Sequence, residues 1–368
     1  MSETDRLRPP TDPLALYRLR DSIYAPDLLI VAVAELDLFT WLHRKPPMRA
    51  DEICEDLKLD PRAFDVMMTY LVALGLLERG PDEQIVLSTA ATEHLVADSP
   101  WDLRAYFASL RERPACVELL EVLRTGTPAA WASATDSQDW SNRLIEPQFA
   151  HEITAAMDAR GRYLGPTLAA ALDGIPAVRR ALDIGGGSGA YACALLDRRP
   201  DLQVSVFECP PVDQAARQLL AERGYGGRVD VITGDMFTDP LPDGYDLHVF
   251  SHVLHDWGEG QVRQLLASSF AALPPGGWFV DHDTHVDAHK TGPLPVAEYS
   301  VLLMHSTPGK CWSLAELDTM LTDAGFLAIG CESTTGDRSA IIARRPGGDD
   351  LPPPASAGIP AADERPSS

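Results

Sequence analysis

Three acids, a run of glycines and one histidine are spaced in this sequence as a group that could pass a small activated group between two ligands. Residues 181–190 read ALDIGGGSGA: apolar residues lead into Asp183, three glycines follow, and Gly189 comes just after them. This is the pattern of a buried strand that ends in a tight turn and opens a helix. Gly185 and Gly187 leave room for backbone to approach a ligand, and the amides of the following helix can donate hydrogen bonds to it. Gly185, Gly187 and Ala190 also fit the G-x-G-x-x-G/A fingerprint of a dinucleotide site, with Glu208 about 20 residues on to hold a ribose. Two cofactors therefore compete, a nicotinamide dinucleotide and S-adenosylmethionine. Asp183 favours the second, because a carboxylate two residues before the first glycine repels a pyrophosphate yet suits a positively charged methionine end.

In open α/β sheets, ligands lie outside the carboxyl ends of the strands. Here each expected strand end carries a polar residue. Glu208 could accept both ribose hydroxyl protons. At Gly234-Asp235-Met236, an acid could meet an adenine amino group while a methionine packs on the ring. Each acid alone could equally be a helix cap or a turn residue; three at successive strand ends favour a site. The next strand runs into SHVLHDW, from Ser251 at the cofactor's edge to Trp257 on the acceptor side, and places His255 just past the sheet. An imidazole titrating near neutrality is suited to take a proton from a phenol or enol. Displacement at a sulfonium carbon needs little beyond that unmasked nucleophile and its alignment.

Strands are expected at 202–207, 229–232, 246–250 and 278–280, alternating with helices at 190–197, 212–224, 258–273 and 313–324. The fold class is α/β, a doubly wound Rossmann-like parallel sheet. Residues 326–333 and 339–345 are joined by only 334–338, too short for a parallel crossover, so they should form an antiparallel hairpin. That ending departs from a dinucleotide fold and supports the methyl donor.

The domain so formed, 173–346, is preceded by a different kind of sequence. A polar leader (1–13) gives way to an apolar helical stretch at 14–42, too apolar for one wet face and so packed on two sides. Residues 48–80 give two short helices and 83–88 a strand, a winged-helix outline within 14–100. Lys58, Arg62 and Arg79 are outnumbered by acids between Asp51 and Gly80, and the whole chain carries −23 formal charges, so phosphate backbones are unsuitable partners. A dimerisation role fits better than DNA reading. Between 101 and 172, Trp101, Tyr106, Phe107, Trp131 and Trp140 could line a substrate cavity or simply build core, ahead of a long helix at 149–172. At 368 residues, 45% hydrophobic and 23% charged, the chain has ordinary globular composition with room for two domains. No apolar run approaches the roughly 20 residues of a membrane span, and the leader lacks a signal-peptide core, so a cytoplasmic location without membrane contact is expected. Six scattered cysteines without a C-x-x-C pair indicate neither a disulfide framework nor a cysteine zinc site. A disordered tail is expected at 347–368.

ALDIGGGSGA, FECPPV, GDMF, HVLHDW, LPPGG and the final AGF together resemble the small-molecule O-methyltransferase family typified by caffeate and acetylserotonin methyltransferases, over nearly the whole chain. The resemblance implies a homodimer, with S-adenosylmethionine on the glycine turn and a small-molecule acceptor. It also implies Gly185 and Gly187 against the donor, Glu208 on its ribose, Asp235 and Met236 on its adenine, and His255 as base. Two positions depart from the family. Asp283 stands where a glutamate commonly flanks the histidine, and Cys311 stands where a second acid is found; with His305 and Trp257, Cys311 is a candidate for the substrate pocket. Asp281, His282, Asp283 and His285 crowd the end of the fifth strand, and a set of His255, Asp256 and His305 could hold a divalent metal, as in related C-methyltransferases of α-keto acids. A solvated loop of acids and histidines with a packed His305 is the favoured alternative, so no metal is expected.

The sequence thus points to methylation of a small aromatic or enolisable metabolite, at oxygen, in natural-product biosynthesis. Its rivals are C-methylation, a metabolite-sensing DNA-binding regulator, and a donor-binding protein with other chemistry.

Overall fold

Pro26, in the first turn of α2, and Asp37, with φ of 44°, break the apolar stretch at 14–42 into pieces. In the computed structural model, which describes residues 11–129, 146–176 and 178–347, this stretch forms α1 (Leu14–Asp21), α2 (Ala25–Ile30), a π-helical turn (Val31–Glu35) and α3 (Leu38–His43). The short segments bury Leu28, Val31, Ala32 and Leu38 completely. Next come α4 (Ala50–Leu57) and α5 (Pro61–Ala73), the second capped by Asp60, which accepts the Ala63 amide at 2.9 Å. Strands β1 (Met48–Arg49), β2 (Leu77–Arg79) and β3 (Gln84–Leu87) pair antiparallel in the order β1-β3-β2, completing the winged helix. Here the helix spacing overreached. Gly75, at φ of 76°, ends the second helix, so Leu77 is a strand residue rather than the helix's last apolar position.

Helices α6 (Thr89–His94), α7 (Arg104–Ala108) and α8 (Pro114–Thr125) follow, and α9 (Pro147–Ala171) spans 25 residues back to the sheet. Trp131, Trp140, residues 1–10 and the expected tail from 348 lie outside the described residues.

Seven strands make the main sheet: β4 (Arg180–Ile184), β5 (Gln203–Glu208), β6 (Val229–Thr233), β7 (Leu247–Ser251), β8 (Trp278–Asp283), β9 (Leu327–Ser333) and β10 (Ser339–Arg344). Their order is β6-β5-β4-β7-β8-β10-β9. The first five are parallel and the terminal hairpin is antiparallel, as expected. Chain order reverses at β4, so the crevice for a ligand opens beside the glycine turn. The crossovers use α10 (Ala190–Arg198), α11 (Val212–Glu222), α12 (Glu259–Ala272), α13 (Leu294–Ser306) and α14 (Leu314–Ala324).

Strand β8 extends three residues past the expected 280. Asp281, His282 and Asp283 are therefore its last residues, all buried, and not part of a solvated loop. Helix α13 is apolar on nearly every face because it packs against α1, α2, α5 and α8, contributing Ala297, Val301 and Met304 to the N-terminal core. Helix α9 lies close on α10: a Cβ at Gly161 would stand 2.7 Å from the Ala190 Cβ, and one at Gly165 2.9 Å from the Ala194 Cβ.

Candidate active site

At the end of β4 the chain takes three left-handed turns in five residues, at Gly185, Gly187 and Gly189. Beside Gly187 nothing lies within 4 Å of where a Cβ would sit, which leaves a cradle for a ligand. Gly186, which the fingerprint does not single out, is held to glycine by Asp183, whose carboxyl carbon would be 2.6 Å from a Cβ there. Asp183 itself is wholly buried and in no ion pair among the described residues, with only the Ala192 backbone amide to offset its charge. Burial, with the nearby Glu208 charge added, pushes its pKa up to about 7. An unpaired carboxylate in such a place is costly without a cation. Cradle and carboxylate together fit a cationic nucleoside such as S-adenosylmethionine.

Glu208, at the end of β5, faces the same turn: Oε2 accepts the Gly187 amide at 3.0 Å and Oε1 the Cys209 amide at 2.8 Å. Met236 reaches the turn too, its Sδ 3.9 Å from the Cβ position of Gly185. Asp235 is half-buried and closes a local turn, its Oδ1 accepting the Phe237 amide at 2.8 Å. At Gly234 packing also requires glycine, because the Phe207 ring would stand 2.5 Å from a Cβ there. Ser251 ends β7 with a buried, unpaired hydroxyl.

His255 sits on a one-turn 3-10 helix (Leu254–Asp256) just beyond Ser251 and is buried. Its Nδ1 lies 2.6 Å from the Asp283 Oδ1, so the Nδ1 proton is donated to the carboxylate and Nε2 is left as the base. The nearest acid to Nε2 is Asp256, at 3.6 Å. Burial alone would lower the pKa of His255; the charges of Asp283 and then Asp256 outweigh it and hold the imidazole above its ordinary value. Asp283 is shifted the other way: burial opposes its charge, but His255 and His252 keep it well below the usual carboxylate range. Aspartate is thus long enough to support the base where the family commonly has a glutamate.

The histidine segment is clamped from outside. Trp312 donates its indole N–H to the Leu254 carbonyl at 3.1 Å, and a Cβ at Gly309 would collide with the His255 carbonyl. Arg62, one of the few cations in the winged helix, turns inward: Nη1 donates to the carbonyls of Thr307 (3.1 Å) and Gly309 (2.8 Å), and Nη2 to that of Gly126 (2.9 Å). It is therefore committed to the loop behind His255 and not to phosphate.

Other expected residues fall elsewhere. His305 pairs Nε2 with Glu118 (2.8 Å) and Nδ1 with the Ser306 hydroxyl (3.0 Å), and stacks on Tyr24 with ring centroids 3.9 Å apart. It does not join His255 and Asp256 in a metal set, because α13 turns it toward the N-terminal helices. Among the described residues the group with metal-ligand spacing is His252, His255 and Asp283, their donor atoms within 4.8 Å of one another. Trp257 packs edge-on to Phe237 at 4.6 Å within the apolar core beside the sheet. Cys311 is buried against Thr284 Oγ1 at 3.1 Å; burial pushes its thiol far above the ordinary range, so it cannot replace the missing acid as a base.

Four site residues were not foreseen. Tyr299 of α13 stands edge-on to His255 at 5.7 Å, and Arg160 of α9 donates Nη1 to its hydroxyl at 3.3 Å. Tyr191 carries a buried unpaired hydroxyl, and His252 brings Nδ1 to 3.3 Å from Asp283 Oδ1 while its Nε2 is unpaired. Of these only His252 lies in a recognisable motif, one turn before His255.

A sequence profile of the O-methyltransferase domain matches residues 117–327, and one of the O-methyltransferase dimerisation domain matches residues 17–98. The chain is 32% identical over 349 residues to the tetracenomycin polyketide synthesis 8-O-methyl transferase of Streptomyces glaucescens, covering 94% of this chain and 100% of the relative. It is 32% identical over 278 residues to the 3-hydroxy-5-methyl-1-naphthoate 3-O-methyltransferase of Streptomyces sahachiroi, covering 75% of this chain and 79% of that one. Among solved structures, an O-methyltransferase family 2 protein from Planctomyces limnophilus in complex with apigenin is similar, with a TM-score of 0.81 and 30% identity over 92% of this chain and 97% of that one. Fold, cradle and relatives agree: the chain belongs to the O-methyltransferase family and is an S-adenosylmethionine-dependent methyltransferase.

Proposed function

We propose that the enzyme methylates a hydroxyl of a small aromatic or enolisable metabolite of natural-product biosynthesis, with His255 as general base. The observation that carries this is the 2.6 Å contact of Nδ1 with Asp283, which leaves Nε2 as a buried acceptor. S-adenosylmethionine supplies a methyl carbon already activated on a sulfonium. The residues of the chain do the rest. Asp183, Gly185 and Gly187 receive the donor's methionine end, Glu208 its ribose, Asp235 and Met236 its adenine, and Ser251 lines the same wall. His255 Nε2 takes the acceptor's hydroxyl proton, and Asp283 stabilises the imidazolium that forms. The names of the relatives, a naphthoate and a tetracenomycin methyltransferase, favour a fused-ring phenol as acceptor.

A homodimer is part of this reading. Leu19, inside the segment that matches the dimerisation domain, and Leu16, Trp101 and Tyr106, close to its ends, are 71%, 69%, 68% and 76% exposed, large apolar side chains open to a partner. Sedimentation should find two copies.

Metal-assisted C-methylation is the second reading, because His252, His255 and Asp283 are spaced to surround an ion. The 2.6 Å separation weighs against it: two ligands about 2 Å from one tetrahedral ion stand roughly 3.3 Å apart. Incubation of hydroxynaphthoates with labelled donor, with and without a chelator, tests both. Label on oxygen in either condition supports the first; chelator-sensitive label on carbon overturns it.

A further inference from the structure

Two arginines flank the buried Tyr299 ring, and their surroundings differ. Arg338 lies over the ring at 5.3 Å and has a carboxylate of its own, Asp21, at 3.0 Å. Arg160 has none. Among the described residues its guanidinium meets only the Tyr299 hydroxyl, and its Nε is buried without a partner. A guanidinium in this position is satisfied by a planar anion that it can bind with two N–H groups. Asp283 and Asp21 are within electrostatic reach but form no ion pair with Arg160: Asp283 Oδ1 accepts from His255 and Thr284, its Oδ2 is unpartnered, and Asp21 pairs with Arg338. Tyr191 lies within the same reach, 94% buried by its 6% exposure, and its hydroxyl is unpaired. Burial holds that phenol up at about 12, so it remains an O–H donor.

The helix crossing explains why these groups meet. Gly161 lets α9 rest on Ala190 and Tyr191, where the glycine turn opens into α10, and so sets Arg160 between that turn and Tyr299, which touches His255. We propose that Arg160 and the Tyr191 hydroxyl form a carboxylate-binding site beside His255. Two carboxylates can reach it, that of the donor's amino-acid end and one on an aromatic acceptor. This deepens the proposed function by assigning the charge that the site recognises.

Calorimetry on the full-length protein separates the sources, using wild type, Arg160→Met and Arg160→Lys. The donor arm compares S-adenosylhomocysteine with 5′-methylthioadenosine, which lacks the amino-acid end. The acceptor arm compares 3-hydroxy-2-naphthoate with its methyl ester. Loss of a charged hydrogen bond predicts roughly 10- to 100-fold weaker binding of the carboxylate-bearing member in one arm. The uncharged member should change less than about twofold and Arg160→Lys should recover part of the loss. Weakening confined to S-adenosylhomocysteine assigns the donor's carboxylate, and weakening confined to the naphthoate assigns the acceptor's. Unchanged affinity in both arms, with melting temperature preserved, overturns the proposal. If Arg160→Met does not fold, Tyr191→Phe and Arg160→Lys carry the same comparison. Wild type that binds neither nucleoside contradicts the donor reading itself, a separate result.

Discussion

Strand β8 ends in two histidine–aspartate pairs, both buried, and only one is equipped for chemistry. His285 spends both ring nitrogens: Nε2 lies 3.0 Å from Asp281 and Nδ1 2.7 Å from Ser339. His255 spends one, on Asp283, and keeps Nε2 beyond hydrogen-bonding distance of any acid. A histidine with both nitrogens bonded braces the sheet, in this case tying β8 to β10. A histidine held at one nitrogen can exchange a proton at the other. Residue type, burial and a neighbouring acid are common to both pairs, so none of these identifies the base. Between these two, free hydrogen-bonding capacity does.

Substitution separates the two pairs most sharply at His255. His255→Ala is expected to lower kcat by roughly 10²- to 10⁴-fold while leaving S-adenosylhomocysteine affinity nearly unchanged, as read by labelled methyl transfer beside calorimetry. A smaller loss is expected behind it. Gly309→Ala drives a methyl into the His255 carbonyl, and displacing the imidazole should lower kcat by roughly 10- to 100-fold with little change in donor affinity. His285→Ala should do the reverse of His255→Ala. It leaves Asp281 and Ser339 unpaired in the sheet and should cost about 1–3 kcal/mol in a denaturant titration, with turnover retained. Chelation is expected to do least. If His255 is a base and not a ligand, overnight dialysis against a chelator should leave turnover as it was.

The sequence carries His255 as the candidate base but not its contrast with His285, for reasons that also mark where reading fails. The glycine turn, Glu208, Met236 and His255 are set by local rules: a strand end fixes each residue against the crevice, whatever lies far away. The metal set of His255, Asp256 and His305 failed because α13 is apolar on nearly every face. Its pattern gives no phase, and only its packing against the N-terminal helices turns His305 to Glu118. Part of the need for a bare Cα at Gly234 was hidden for a similar reason, since it comes from Phe207, 27 residues earlier. Arg160 and Tyr299 are 139 positions apart and meet through the crossing of α9 on α10, which depends on Gly161 and Gly165. The winged helix was legible as an outline, but the inward turn of Arg62 was not, because a cation on a helix carries no mark of which side is covered.

The pH–rate profile of Asp283→Asn against wild type tests the central claim, that Asp283 sets His255 as the base. In the wild type the acid limb should lie above the ordinary histidine value, because turnover falls as the raised imidazole is protonated. Asparagine removes the charge that offsets burial, so the limb should move to lower pH while the plateau rate drops. An acid limb at the same pH in both proteins would contradict the account.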